Sequence, residues 1–341
     1  MKQFIWKKIL TTTILILMLV VSYNLFCLAN SEYPTEPITI IVPYNPGGSS
    51  DTAARVIQVH LQKALGAPAV IVEDLPGGNA MMGTMEFLRR KADGYTLYLN
   101  CLSGMVFNTL MIEPEQYKMT DFAPVIGVTS DPKVFFVKKN SPYNTLEDLI
   151  KEIRKRPGEV SLASTSGTSS YWLAMWLKKE LNLPVNLVGF PGGGPASTAL
   201  IGGHVDSYLD TGSPRVPLKD EIKAIGVANP KRTKGWPDAI PILELDIFKE
   251  EGIDYVPGEE IATSNTIWVR REVKENYPER YYRLVSALYE VAKDPEFNKK
   301  AIDIAIAPQL VWWPPSKVDE VVAAAAETMK GDPEILKMMK Q

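Results

Sequence analysis

The stretch Val42-Pro43-Tyr44-Asn45-Pro46-Gly47-Gly48-Ser49-Ser50-Asp51 joins an apolar, β-branched run at 38–42 to an amphipathic segment at 52–65. The run predicts a buried strand, and the segment predicts a helix. Such a turn directs free backbone N–H groups outward, where the helix dipole adds partial positive charge. It therefore predicts either a small-anion site built without Lys or Arg, or an ordinary βα turn capped by a serine. Asp51 weighs against the anion site, because its carboxylate competes for the same amides.

Length and composition indicate a soluble globular protein with room for two domains. The chain has 341 residues, of which 45% are hydrophobic and 23% are charged, and its formal net charge is −3. Such a length supports a sizeable core. The sequence has no long basic run and no basic excess, so we do not expect nucleic acid as a partner.

The first 29 residues predict a secretory signal peptide. Three lysines within the first eight residues precede an apolar run at 14–21, and Cys27-Leu28-Ala29 provides small residues for cleavage after Ala29. We therefore expect export to the periplasm or to the extracellular face of the membrane. An uncleaved membrane anchor and a lipid anchor on Cys27 are the alternatives. Cleavage would leave one cysteine, Cys101, so no intramolecular disulfide is expected.

Neither catalysis nor metal binding is indicated by the sequence. His60 and His204 are far apart and have no metal-ligand pattern around them, so we expect no metal, no cofactor and no catalytic residue. A serine hydrolase is the rival class, but no Gly-x-Ser-x-Gly elbow and no neighbouring base accompany the serines near residue 166. An extracytoplasmic sensor that signals to a membrane kinase is a further alternative.

Alternating strand and helix patterns predict an α/β fold. Strand patterns at 38–42, 69–73 and 95–99 are separated by helix patterns and short turns, which favours parallel pairing and right-handed crossovers. Ligands of such sheets bind at the carboxyl ends of the strands. Three loops are expected at that edge: the opening stretch, the Gly-rich turn at 74–79, and Cys101-Leu102-Ser103-Gly104.

A second domain is predicted between two crossings of the chain. The strand patterns leave the first sheet near residue 131 and return at 261–269. Domain 1 is therefore expected to comprise 30–131 and 259–341, and domain 2 to comprise 132–258. Two crossings of this kind form a natural hinge.

A second anion-loop candidate lies in domain 2. The strand pattern at 160–163 leads through Ser164-Thr165-Ser166-Gly167-Thr168-Ser169-Ser170 into a helix pattern at 171–181. Six hydroxyl residues supply hydrogen-bond donors without fixed charge. A hydroxyl-rich surface loop that caps a helix is the alternative. Two such loops in two domains predict a cleft that closes on one anion from both sides.

With these features the chain resembles the solute-binding receptors of the tripartite tricarboxylate transporters, the TctC or Bug family. The exported N-terminus, Tyr33-Pro34, the opening stretch and Asp93-Gly94-Tyr95-Thr96-Leu97 carry a resemblance that extends over essentially all of the mature chain. It implies a two-domain periplasmic-binding-protein fold of the type II, flytrap class, with a mainly parallel sheet in each domain and a cleft between them. It also implies a monomeric receptor that delivers a small carboxylate to membrane permease subunits.

The resemblance also implies which residues face the ligand. The two loops described above correspond to the family's binding loops. The other binding residues are inferred from the positions that match the family pattern. The full set of predicted binding residues is Tyr44, Gly47, Gly48, Ser49, Ser50, Asn79, Met81, Cys101, Ser103, Ser166, Gly167, Thr168, Ser169, Ser170, Trp172, Asp210 and Thr211.

Several residues depart from the family pattern. Trp172 stands where a polar residue is common, Ala80 and Met81 stand where further glycines and an asparagine are usual, and Asn100-Cys101 replaces Gly-Thr. These changes predict a less open, more apolar pocket. We hypothesise that the ligand is a carboxylate with an apolar or aromatic body rather than citrate. The alternative is that Trp172 and Met81 pack beneath their loops, because such residues are more often in the core.

Overall fold

The structure is a computed structural model that describes residues 33–47, 49–112, 114–303 and 309–339. The predicted signal peptide, the alternative lipid site at Cys27 and the predicted binding residue Gly48 lie outside the described residues. The strands are β1 (Ile38–Val42), β2 (Val70–Asp74), β3 (Thr96–Cys101), β4 (Phe122–Asp131), β5 (Lys133–Lys138), β6 (Ser161–Thr165), β7 (Asn186–Phe190), β8 (Ser207–Thr211), β9 (Ile222–Ala228), β10 (Thr263–Arg270) and β11 (Leu310–Trp313).

The α-helices are α1 (Ser49–Leu65), α2 (Met81–Arg89), α3 (Leu102–Met111), α4 (Leu146–Lys155), α5 (Ser169–Glu180), α6 (Gly193–Gly202), α7 (Asp246–Glu250), α8 (Arg271–Asn276), α9 (Pro278–Lys293), α10 (Pro295–Asp303), α11 (Pro315–Lys330) and α12 (Pro333–Met339). Short 3₁₀ segments occur at Met119–Asp121, Ser213–Leu218, Ile242–Glu244 and Glu259–Ile261. In the described part of the chain, no helix combines the length and the apolar character that a membrane span needs.

The first sheet has six strands in the order β11-β4-β10-β3-β1-β2. β1 pairs in parallel with β2 and β3, whereas β10 is antiparallel to β3 and β4, and β11 is antiparallel to β4. Four of the five β1 side chains are completely buried, because helices cover both faces of the sheet; this burial accounts for the nearly continuous apolar run. The α/β fold is thus confirmed, with parallel pairing in one half of the sheet and antiparallel pairing in the other.

The second sheet has five strands in the order β7-β6-β8-β5-β9. β6 pairs in parallel with β7 and β8, and β5 is antiparallel to β8 and β9. This sheet is therefore also mixed. In both sheets the parallel strands are followed by helices, so their carboxyl ends carry the strand-to-helix loops.

The chain passes between the two sheets twice, once before β5 and once after β9. β4 ends in the first sheet at Asp131, and after one residue, Pro132, β5 begins in the second sheet. The return runs from β9 to β10, which lies between β3 and β4. We propose on this path the domain division given above, at 131/132 and 258/259.

Candidate functional site

Four helices begin where strands of the two sheets end. α1, α2 and α3 follow β1, β2 and β3, and α5 follows β6. The N-cap residues of α2, α3 and α5 are Ala80, Cys101 and Thr168, and none of them caps its helix through a side-chain hydrogen bond. The first turn of a helix leaves its N–H groups without intrahelical acceptors, so such ends offer donors and partial positive charge. In α2 the amides of Met81 and Met82 already donate to Gly78 O and Gly77 O of the preceding turn.

The loop at 42–51 is stabilised partly by its own aspartate, Asp51. Gly47 N donates to Asp51 Oδ2 at 2.7 Å, which is the competition for amides that the sequence suggested. Ser50 Oγ is buried and donates to Asn265 Oδ1 on β10 at 2.6 Å. Ser49 is exposed at the start of α1. Of the two serines, Ser49 is the one whose side chain is exposed to solvent.

Serine side chains from the two sheets meet at the starts of α3 and α5. Ser103 Oγ lies 3.2 Å from Ser169 Oγ and 3.3 Å from Cys101 Sγ. Ser103 Oγ also donates to Ala262 O, and Ser169 Oγ donates to Ile261 O, each at 2.9 Å. Each hydroxyl has a single proton to donate. When both protons are donated to these carbonyls, the two serine oxygens are in contact without a hydrogen bond between them. The loops of the two sheets are thus in direct contact.

Asn79 makes the second contact between the loops. Its Nδ2 donates to Gly167 O at 3.0 Å and to Asn108 Oδ1 at 2.9 Å, and Asn108 Nδ2 donates back to Asn79 O at 2.8 Å. Thr168 Oγ1 donates to the carbonyl three residues earlier, and Ser166 is exposed. The hydroxyl-rich loop therefore faces the 74–79 turn directly.

Asp210 lies beneath the hydroxyl-rich loop at 164–170 and holds its side chains in place. Its oxygens accept hydrogen bonds from Ser170 Oγ (2.9 Å), Thr211 N (2.8 Å), Thr165 Oγ1 (2.9 Å), Tyr208 OH (2.5 Å) and Arg215 (3.1 Å). Burial alone would raise the pKa of Asp210, but Arg215 and Lys133 hold it below its usual range. Because these donors use its acceptor capacity, Asp210 fixes the position of the loop, and its predicted contact with a ligand stays a prediction.

Lys133 is a buried charged residue beside the predicted binding residues, and the sequence reasoning missed it. It starts β5, is only 2% exposed, and donates from Nζ to Thr263 Oγ1 at 2.7 Å. Thr263 Oγ1 lies 2.7 Å from the predicted binding residue Thr211. The sequence held one indication that Lys133 is unusual. It directly precedes four apolar residues at a predicted crossing between the domains.

The remaining predicted residues lie around this centre. Tyr44 OH donates to Asn100 Oδ1 at 2.7 Å, and burial raises the pKa of Tyr44. Trp172 is completely buried in the core beneath the second loop, and Met81 is half-buried against the same core. These positions match the packing alternative for Trp172 and Met81.

One group of described residues has metal-ligand types within reach of one another. His60, Asp294 and Glu296 offer atoms within 4.8 Å. His60 Nδ1 and Asp294 Oδ2 are 2.8 Å apart, so they already satisfy each other. The group lies between α1 and α10, away from the loops, and we assign no metal to it.

Comparisons with known sequences match most of the chain. The family model described as "Tripartite tricarboxylate transporter family receptor" matches residues 53–257. Protein BugT of Bordetella pertussis is 32% identical over 219 residues, which are 62% of this chain and 67% of BugT. A UPF0065 protein of Agrobacterium vitis is 28% identical over 283 residues, which are 82% of this chain and 78% of that protein.

Comparisons with solved structures match the fold. MatC from Rhodopseudomonas palustris, with bound malate, superposes with a TM-score of 0.71 at 22% identity over 89% of this chain and 100% of MatC. An R. palustris protein with adipate gives a TM-score of 0.74 at 21% identity over 90% of this chain and 99% of that protein. The periplasmic-binding-protein fold predicted from the sequence is therefore confirmed.

Proposed function

The chain belongs to the tripartite tricarboxylate transporter receptor family, and on this premise we propose that it captures a small carboxylate between its two sheets and delivers it to membrane permease subunits. Members of this family are periplasmic solute-binding proteins, not enzymes. We propose further that the chain is exported through residues 1–29 and acts as a monomer.

One observation carries the proposal: helix N-termini without side-chain caps face each other across the two sheets. α3 begins next to Ser103 and α5 begins at Ser169, and these two serine oxygens are 3.2 Å apart. Each helix end carries roughly half a positive charge. Bringing two such ends together is unfavourable unless an anion accepts their N–H groups. A carboxylate has the charge and the acceptor geometry for this position.

The strength of such a site does not require a charged side chain. Hydrogen bonds to an ionised group contribute about 1.5–3 kcal/mol each when water is excluded. Amides of the two loops, with the exposed Ser49 and Ser166, supply enough donors for one carboxylate. Capture in the open cleft, followed by closure, would bury these bonds and present the two-domain surface to the permease.

We propose a small carboxylate as the ligand, and the residues of the loops bear on whether the rest of the ligand is apolar. MatC was solved with malate and a second relative in fold with adipate, which supports small organic acids for this chain. Trp172 offers no surface to a ligand, since it is completely buried. Trp172 therefore does not support the hypothesis that the ligand has an apolar or aromatic body. That hypothesis would rest on Met81.

The test uses two substitutions at one exposed position. Ser49→Asp adds a carboxylate at the exposed start of α1, a third helix end that we propose to border the ligand, and it should fold normally because an acidic residue in the first turn suits the helix dipole. Ser49→Asn has nearly the same shape without the charge. Calorimetry with malate, adipate, citrate and benzoate should detect binding by the wild-type protein and by Ser49→Asn. Ser49→Asp should bind at least tenfold more weakly.

Two results would count against the proposal. Binding of none of these acids by the wild-type protein would contradict carboxylate capture. Equal affinities of Ser49→Asp and Ser49→Asn would contradict the proposal that the start of α1 borders the bound carboxylate.

A further inference from the structure

Lys133 is a buried cation with too few partners. Its side chain is 2% exposed, yet in residues 33–303 and 309–339, as far as they are described, Nζ has one hydrogen bond, to Thr263 Oγ1, and no carboxylate oxygen within 4.0 Å. An ammonium group has three N–H donors. Burying a cation without a close counter-ion is costly, and the structure retains it nonetheless.

Two carboxylates lie near Lys133, and neither forms an ion pair with it in the described part of the chain. Asp210 is saturated by its donors and lies 3.1 Å from Arg215. Asp131 accepts from Ser213 N at 2.9 Å through Oδ2, while its Oδ1 is buried without a hydrogen-bond partner among the described residues. Both act on Lys133 only from beyond ion-pair distance. Burial lowers the pKa of Lys133 and Arg215 adds to that change, while the negative charges of Asp210 and Asp131 oppose it.

The ammonium group lies where elements of both sheets converge. Thr263 belongs to β10 of the first sheet, and Thr211, 2.7 Å from Thr263, ends β8 of the second sheet. The two residues before Thr263, Ala262 and Ile261, accept hydrogen bonds through their carbonyls from Ser103 and Ser169 at the starts of α3 and α5. Lys133 therefore borders the uncapped helix ends to which the ligand carboxylate is assigned. The positive charge available is about one unit from two helix ends and one from Lys133.

We propose that Lys133 binds the second carboxylate of a dicarboxylate ligand and so selects dicarboxylates over monocarboxylates of equal length. This inference rests on the proposed function, since the first carboxylate is held by the helix ends. Lys133 would then be the specificity-determining residue of the cleft, and the two donors of Nζ that the described residues leave unused would be satisfied by the ligand.

The experiment compares matched acids. Adipate and hexanoate have the same chain length and differ by one carboxylate, as do malate and 2-hydroxybutanoate. Calorimetry on the wild-type protein should show at least tenfold tighter binding of the diacid in one or both pairs. Lys133→Met should weaken diacid binding at least tenfold and monoacid binding less than threefold. Lys139→Met removes the charge of an exposed lysine just beyond the opposite end of β5, and it should leave both affinities unchanged.

Thermal unfolding of the ligand-free protein separates binding from structure. Lys133→Met keeps the length of the side chain and removes the buried charge, so the melting temperature should be unchanged or higher. A large fall in melting temperature would mean that Lys133 is a structural residue, and the inference would be overturned.

The binding results distinguish the two claims. If the wild-type protein binds the acids and Lys133→Met weakens both members of a pair equally, or neither, the role of Lys133 is refuted and carboxylate capture stands. If the wild-type protein binds none of the four acids, the proposed function fails and the inference fails with it.

Discussion

Asp210→Asn should destabilise the protein severely although it replaces only one oxygen by an NH₂ group. Donors face both oxygens of Asp210: Ser170 Oγ and the Thr211 amide on one side, Tyr208 OH and Arg215 on the other. The amide group of asparagine would therefore point its NH₂ at a donor whichever way it is rotated.

The magnitude follows from the cation left behind. Arg215 is 6% exposed, and Asp210 is the one carboxylate within 4.0 Å of it in the described part of the chain. Removing one partner of a buried ion pair costs about 3–5 kcal/mol, because the other charge stays buried and uncompensated. For a protein of this size, each kcal/mol lowers the melting temperature by about 2–4 °C, so a fall of about 10 °C is expected.

Asp206→Asn is the matched control for this prediction. Asp206 Oδ2 accepts from Ser161 N at 2.8 Å and from Ser161 Oγ at 2.7 Å, and no Lys, Arg or His nitrogen of the described chain lies within 4.0 Å. The same exchange of oxygen for NH₂ should therefore cost only about 1 kcal/mol. The measurement is the free energy of unfolding in urea, together with the melting temperature, at pH 7.

The pH dependence adds a second check. The pKa of Asp210 in the folded protein is depressed, so its stabilising contribution is present above the unfolded pKa of about 4 and is lost as the pH falls below it. The difference between wild type and Asp210→Asn should be constant from pH 6 to 8 and shrink under acid conditions. Equal losses in Asp210→Asn and Asp206→Asn would refute the reasoning.

Two further predictions concern other buried groups. Burial raises the pKa of Asp131 from 3.8 to about 6, so its contribution to stability is fully present below pH 3.8 and is lost as the pH rises through about 6. Asp131→Asn removes this dependence, and unfolding in urea from pH 4.5 to 8 should show the wild type losing about 2–3 kcal/mol relative to the variant; parallel curves would contradict this. A Cβ at Gly83 would lie 2.8 Å from Pro43 Cβ and 2.9 Å from Leu75 O, so Gly83→Ala should cost about 1–3 kcal/mol by overpacking. Gly194→Ala, with open space at its Cβ position, should cost little, and equal melting temperatures of the two variants would be the contrary result.

The local parts of the site were predictable from the sequence. The apolar run at 38–42 became β1 with the same bounds, and the turn after it leads into α1, which begins at Ser49 rather than at residue 52. Hydrophobic periodicity and turn residues act over a few residues, so they locate such units well. The competition of Asp51 for the loop amides was likewise visible, because only four residues separate it from Gly47.

The long-range parts of the site were not predictable. Lys133 and Thr263 are 130 residues apart, and Ser50 and Asn265 are 215 apart. Both partners lie on β10, which enters the first sheet between β3 and β4 and runs antiparallel to them. Apolar periodicity identifies a strand but carries no information on its neighbours or its direction. The mixed pairing and the polar contacts of β10 therefore had no local signal.

The position of Lys133 suggests what drives closure under the proposed function. Without ligand, closing the cleft brings the positive ends of α3 and α5 together beside a buried ammonium group, so the closed state carries an electrostatic cost. A ligand shifts such an equilibrium only by its difference in affinity for the two states. A dianion gains most in the closed state, because its charges are then desolvated next to these groups. A neutral analogue of the same shape gains packing but leaves the charge uncompensated, so it should bind without closing the cleft, and charge rather than shape would decide which solutes are presented to the permease.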